Sequence, residues 1–277
     1  MVTRRCLLLL LVGFTVPSPA FAAAITFAAA GPTSADIQGT VDTFRAALGN
    51  PNNGNNPGAA SGRREINWDG GGTATTPVGN PFNGFLDIRG AQFQTPAPGT
   101  GFVQAPPTGG AGGGLASFFA NATYGTIFTT FSAPRLFVPV GNNVTDVLFF
   151  VPGTAGGTPA TVSGFGAVFS DVDLAGITTL QLFNHLNVSL GTFSVPVANN
   201  GLSFLGVLFN AGETISRVRI TTGNSALGPN DGGAIDVVAM DDFLFSEPAA
   251  IPEPATLLLL GAGGAIGGVR RLRRRAK

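Results

Sequence analysis

The stretch Leu202–Asn224, LSFLGVLFNAGETISRVRITTGN, holds two β-type runs on either side of a turn. Leu202–Phe209 is rich in branched and aromatic residues, Asn210–Gly212 breaks it, and Ile215–Thr221 resumes the pattern. In the second run Ser216, Val218 and Ile220 alternate with Ile215, Arg217 and Arg219. A period of two marks a half-buried strand, here with both arginines turned to solvent. The same texture extends outward in both directions. Thr126–Phe131, Leu136–Val138, Asp146–Val151, Gly164–Ser170, Thr178–Phe183, Leu190–Val195 and Ile235–Phe245 are further strand candidates, separated by Gly- and Asn-rich turns. A strand roughly every ten residues predicts a mainly β chain. The expected fold over residues 117–248 is an antiparallel β-sandwich, jelly-roll-like.

Residues 23–116 read as a helix and a Gly/Pro/Asn-rich part ahead of it. Ile25–Phe27 is a short first strand. One N-terminal helix is expected over Ala35–Leu48, capped by Ser34, because Ile37, Val41, Phe44 and Leu48 fall on one stripe and Gly49-Asn50 stops it. Asn50–Gly62, NPNNGNNPGAASG, has almost nothing to bury and is a loop. Between residues 73 and 116 the best strand candidate is Phe85–Arg89. Gly109–Gly114 is a flexible surface loop. It lacks the Gly-Lys-Ser/Thr and flanking βαβ pattern of a phosphate cradle.

Charge and cysteine usage narrow the setting. Arg4 and Arg5, the apolar Cys6–Phe14 and the small-x-small Ala20-Phe21-Ala22 make residues 1–22 a signal peptide, which implies a secretory translocon and signal peptidase. Cys6 is the sole cysteine, so the mature chain has neither disulfide nor thiol chemistry and rests on its own core. Between residues 23 and 250 seven arginines and no lysine face fourteen acids. Such a body is unsuited to nucleic acid, which needs clustered cations.

The chain closes on residues 249–277, whose segment Ile251–Lys277 reads IPEPATLLLLGAGGAIGGVRRLRRRAK. Pro252, Glu253 and Pro254 break any helix or strand arriving from the body. Ala255–Val269, which includes Leu257, Leu260, Gly263 and Gly267, is expected to form a single transmembrane helix of about 22 Å, somewhat short of a roughly 30 Å hydrocarbon core. Gly263 and Gly267, with Gly264 and Gly268, offer a smooth face to another helix. Arg270, Arg271, Arg273, Arg274, Arg275 and Lys277 hold the end in the cytoplasm. This three-part order resembles the PEP-CTERM sorting signal of exported bacterial proteins. The resemblance implies export across the inner membrane and transient anchorage by the C-terminal helix. It also implies recognition and cleavage near the Pro-Glu-Pro segment by an exosortase-type membrane peptidase, and a final place at the cell surface or outside it. Ala35–Gly72 and the phrases GFGAVFSDVDLAG, LSFLGVLFNAGETISRVRITTGN and VVAMDDFLFSEP resemble the bodies found ahead of such tails. That is a likeness of fold, which does not fix function.

The catalytic inventory is thin. His185 is the only histidine, and no G-x-S-x-G pentapeptide exists. A non-enzymatic surface or matrix protein, structural or binding, with exopolysaccharide as a partner, is therefore expected. The alternative is a secreted carboxylate-dependent hydrolase acting on carbohydrate, since two acids across a groove leave no linear signature. Trp68 beside Asp69 reads either as a core plug, with Arg63 pairing Asp69 or Glu65, or as a platform for stacking a sugar. Asp171 and Asp173 follow a strand two apart, Asp231 lies in a Pro-Asn-Asp-Gly-Gly turn, Asp236 starts the last strand and Asp241-Asp242 interrupt it. Turn capping accounts for such acids; so does one structural calcium held by some of Asp171, Asp173, Asp236 and Asp242. No other cofactor is expected.

Overall fold

The computed structural model describes residues 23–251. The expected signal peptide and the tail from Pro252 onward lie outside the described residues. The first half of the body runs β1 (Ile25–Gly31), α1 (Ser34–Leu48), β2 (Arg63–Ile66), β3 (Thr76–Val78), α2 (Leu86–Arg89), β4 (Ala91–Gln94) and β5 (Gly101–Ala105). Two short helices come next, α3 (Gly114–Phe118) and α4 (Tyr124–Ile127), then β6 (Leu136–Val140), β7 (Val144–Phe149), β8 (Ala160–Thr161) and β9 (Gly164–Val172). The body ends on β10 (Thr179–Phe183), β11 (Ser189–Ser194), β12 (Ala198–Leu208), β13 (Arg217–Thr221), β14 (Ala239–Ser246) and β15 (Ala249–Ala250).

The body is mainly β and antiparallel, as the strand cadence predicts. One sheet runs β1-β12-β9-β14-β6-β5-β3, with β2 also paired to β14; the other runs β11-β10-β13-β7-β4, and β15 pairs only with β8. Strands from residues 63–105 enter both sheets beside those of the second half. The burial patterns tell the faces apart. β7, β10 and β13 alternate, with one face in the core and one toward water. On the wet face of β13, Arg219 grips Asp146 of β7 through two nitrogens at 2.7 and 2.9 Å, and Arg217 adds a third contact at 3.0 Å. β9 and β14 are buried at every residue, because both their faces are covered. Phe165, Ala167 and Phe169 of β9 join Val147, Leu182 and Val218 of the facing sheet in one core. Val168, on the opposite face, packs with Ile37, Val41, Phe44 and Leu48 of α1.

That second contact needs glycine. Gly166 of β9 and Gly206 of β12 are register partners, and the Phe44 ring sits over the pair. A Cβ on either would lie 2.7 Å from that ring. Beyond β6 the same sheet is covered by α3, α4 and the loop holding Leu227 and Val237.

Several expectations are corrected. The helix is capped by Thr33, not Ser34, and the Asp36 carboxylate accepts from Thr33 N at 2.9 Å and Oγ1 at 2.6 Å. Among the described residues α1 is joined by three short helices where one helix was expected. Phe85–Arg89 is no strand: α2 is a single turn that Gly90 ends at a φ of 74°. Thr126–Phe131 fails as a strand because Asn121 Oδ1 accepts from Thr123 N and starts the turn into α4. Asp236 lies before β14, not at its start.

Arg64, fully buried, locks the far end of β14. Its Nε and Nη2 each stand 2.6 Å from the Glu247 carboxylate, and its remaining donors reach the carbonyls of Gly54, Asn56 and Ile88. Asn53 joins the same carboxylate at 2.8 Å. The loop 50–62 is thus held largely from outside, by Arg64 on its carbonyls and by Arg63 and Arg89 on Asn50 and Asn55.

Gly206→Ala should destabilise by about 1–3 kcal/mol through overpacking against Phe44. Gly39→Ala, on the exposed face of α1 with nothing in its way, should stabilise by about 0.5–1 kcal/mol. Thermal melts that moved both variants in the same direction would refute this account of the notch. Arg64→Met should cost about 3–5 kcal/mol by stranding the Glu247 charge, read by chemical denaturation against wild type.

Candidate functional site

Three segments meet at one end of β9. Asp171 is the penultimate residue of β9 and Asp173 follows it. Asn199 and Asn200 come from the start of β12, and residues 224–238 form the loop into β14. Carboxylate oxygens of Asp171, Asp173 and Asp231 all lie within 4.8 Å of one another. Asp236 adds its field to those of Asp171 and Asp173. Three ionised carboxylates so close would repel by roughly 3–4 kcal/mol per pair at an effective dielectric of about 20. Burial, then the neighbouring acids, pushes Asp171 up to about 7 despite a hydrogen bond from Asn200 N. Burial likewise raises Asp173 to about 6, with Asp231 contributing, and raises Asp236.

The loop that brings Asp231 here is pinned from outside. Tyr124 Oη donates to Pro229 O at 2.8 Å and accepts from Gly228 N at 2.6 Å, while Asn121 reaches both carbonyls. Of the four residues among which a cation was expected to find its ligands, the fold brings together Asp171, Asp173 and Asp236. Asp231, read from the sequence as a turn residue, completes the group, and Asp242 lies elsewhere. Nothing local marks Asp231 out, since its partners are about sixty residues away in sequence.

Asp242 belongs to a second group, created by a bulge. The register between β14 and β9 slips between Met240 and Phe243, so Asp241 and Asp242 occupy the extra length. Ser132 Oγ stands 2.6 Å from Asp242 Oδ1, 3.1 Å from Asp69 Oδ2 and 3.3 Å from Asp241 Oδ1. One hydroxyl proton cannot serve three carboxylates. Burial, followed by the Asp242 charge, holds Asp241 well above the usual carboxylate range, and burial raises Asp242 as well. Asp242 also lines a polar cleft of about 250 Å³ with Arg45, Asn52, Glu65, Asn67 and Arg89. A single Arg45 nitrogen stands 3.0 Å from Glu65 and 3.8 Å from Asp242.

Trp68 is a plug. It is 1% exposed, its ring stacks on Phe137 with centroids 3.8 Å apart, and its Nε1 donates to Asp241 O at 2.7 Å. With both faces inside the core it offers no platform to a sugar, which corrects that expectation. Arg63 pairs with Glu65 at 2.6 Å, not with Asp69. His185 is exposed in the loop between β10 and β11.

The sorting residues Pro252, Glu253 and Pro254, the apolar run and the arginines lie outside the described residues. Their attachment point does not. β15 pairs Ala249 with Thr161 and Ala250 with Ala160, and Ile251 N bonds Pro159 O at 3.3 Å. Among the described residues no helix is long and apolar enough to cross a membrane.

A family model described as PEP-CTERM protein-sorting motif matches residues 250–275. The chain thus carries the sorting signal of an exported protein recognised by an exosortase, a membrane protein. No curated protein and no solved structure matches the chain.

The buried acids set a pH dependence. Asp241 ionises near the ordinary aspartate value of 3.8 when unfolded, but only far higher when folded. Above pH 3.8 the folded state therefore holds the extra proton, and stability falls as pH rises, by up to about 1.4 kcal/mol per pH unit for this group. Asp241→Asn keeps an acceptor for Phe131 N and removes the charge. From about pH 4 upward its melting temperature should fall less steeply with pH than that of wild type. Parallel curves would contradict the assignment.

Proposed function

We propose that this chain is an exported, non-enzymatic protein of the cell surface or extracellular matrix. The signal peptide takes it to the translocon, and Ala255–Val269 then holds it transiently in the inner membrane with Arg270–Lys277 in the cytoplasm. An exosortase-type peptidase cleaves near Pro252-Glu253-Pro254. The observation that carries this reading is the sorting motif, which begins where β15 ends. Two facing antiparallel sheets read as a jelly-roll-like β-sandwich, a rigid body for display. Exopolysaccharide is the partner, and the cleft between Arg45 and Arg89 is where its hydroxyls would find both donors and acceptors.

The same cleft supplies the one observation in favour of a carbohydrate hydrolase, since Glu65 and Asp242 both line it. Against turnover, Glu65 is neutralised by two guanidiniums, those of Arg45 and Arg63.

Mass spectrometry of the mature protein from its own host should find a C-terminus within or near Pro252–Pro254. Intact Arg270–Lys277 on the bulk of surface-located protein would make the tail a permanent anchor instead. On a glycan array run beside chromogenic glycosides, binding without turnover is expected. Turnover abolished by Asp242→Asn would replace the binding role with the hydrolase.

A further inference from the structure

We propose that Asp171, Asp173 and Asp231 ligate one calcium ion, with Asp236 closing the buried side of the site. Calcium takes oxygen ligands at about 2.3–2.6 Å, so oxygens on opposite sides of it stand about 5 Å apart. The three carboxylates, all within 4.8 Å of one another, fall inside that span.

Unmet oxygens point to the same occupant. Asp171 is 1% exposed and Asp236 fully buried, yet Asp171 Oδ2 and Asp236 Oδ1 accept no hydrogen bond, and neither does the buried Asp173 Oδ1. Buried acceptors are almost always satisfied, and an unsatisfied one is costly. No ion pair among the described residues involves any of the four acids.

The carboxylates are also held in place. Asn200 N donates to Asp171 Oδ1 at 2.7 Å, Leu174 N to Asp236 Oδ2 at 3.1 Å and Val237 N to Asp231 Oδ1 at 3.0 Å. In Asp171 and Asp236 the backbone therefore fixes one oxygen and leaves the other unclaimed.

The donor set decides the class of ion. It is oxygen only, with the Asn199 side chain against Asp173 and neither histidine nor cysteine in the group. Such a set suits a hard cation and not zinc. Ligands from two loops and a strand end, in no regular array, suit the variable shell of calcium better than the strict octahedron of magnesium. The ion would tie the end of β9 to the loop into β14, joining segments that otherwise repel.

The test uses the full-length chain in detergent, stripped with chelator and melted at fixed neutral pH with excess calcium, with equal magnesium or with chelator. A calcium excess of about a hundredfold over Kd should raise the folded-to-unfolded ratio about a hundredfold, seen as a melting temperature several degrees higher. Magnesium should produce little of that shift. Asp231→Asn, which keeps the acceptor for Val237 N, should fold and lose the calcium response. Asp171→Asn should match or exceed wild type in chelator and fall below it in calcium. That reversal is something a merely structural aspartate would not produce. Superimposable wild-type curves in calcium and chelator would overturn the proposal without recourse to any variant. So would a magnesium shift as large as that of calcium, or an undiminished response in Asp231→Asn.

Discussion

Coverage of β9 on both faces is the constraint on which the rest of the body depends. Its backbone is paired on either side by β12 and β14, and its side chains alternate between a core shared with the second sheet and one shared with α1. Neither core leaves room for a charge. Where β9 runs out from under α1, at Asp171, the first carboxylate appears, and the loop acids gather there. β14, equally covered, solves the same problem differently. Its two acids sit in a bulge, where the ladder is already broken and Ser132 and the Phe131 amide can reach them.

The arginines show how charge is distributed. All seven in the body are tied by hydrogen bonds. Arg64 holds Glu247, Arg45 and Arg63 hold Glu65, and Arg217 and Arg219 hold Asp146. Arg89 bonds Asn55 and the Glu65 carbonyl, and Arg135 reaches the Trp68 carbonyl and Gln104. Arg64 and Arg89 fasten the loop at residues 50–62, and Arg217 and Arg219 tie β13 to β7, in a chain without disulfides. Committed in this way, they leave the acids at the end of β9 without an ion-pair partner among the described residues.

What is legible in the sequence is whatever repeats locally. The two-residue period of β13 and the stripe on α1 state their burial directly, because each side chain's face follows from its neighbours. Phe85–Arg89 misleads because its apolar texture fits a strand, while Asn83 and Gly90 at its flanks confine it to one helical turn. Trp68 is ambiguous until Phe137 and Phe243, far along the chain, close over it. The acid site is half visible: two acids on one strand end can be seen together, but Asp231 reaches them only through Tyr124 and Asn121, which hold its loop.

The way the chain leaves the body has a mechanical consequence. Only Pro252, Glu253 and Pro254 separate Ile251 from the apolar run, a leash of about 14 Å at full stretch. If that run enters the bilayer as proposed, so short a leash would keep the folded body close to the lipid headgroups and the Pro-Glu-Pro segment close to both. Slack is available from one source. β15 is two exposed alanines on a two-residue ladder, and peeling it from β8 back to the buried Pro248 yields about 10 Å more. There the peeling stops, because Glu247 is fastened by its backbone N to Gly62 O and by its carboxylate to Arg64. How far the Pro-Glu-Pro segment can reach from the body is thus metered by a weak ladder with a buried ion pair behind it.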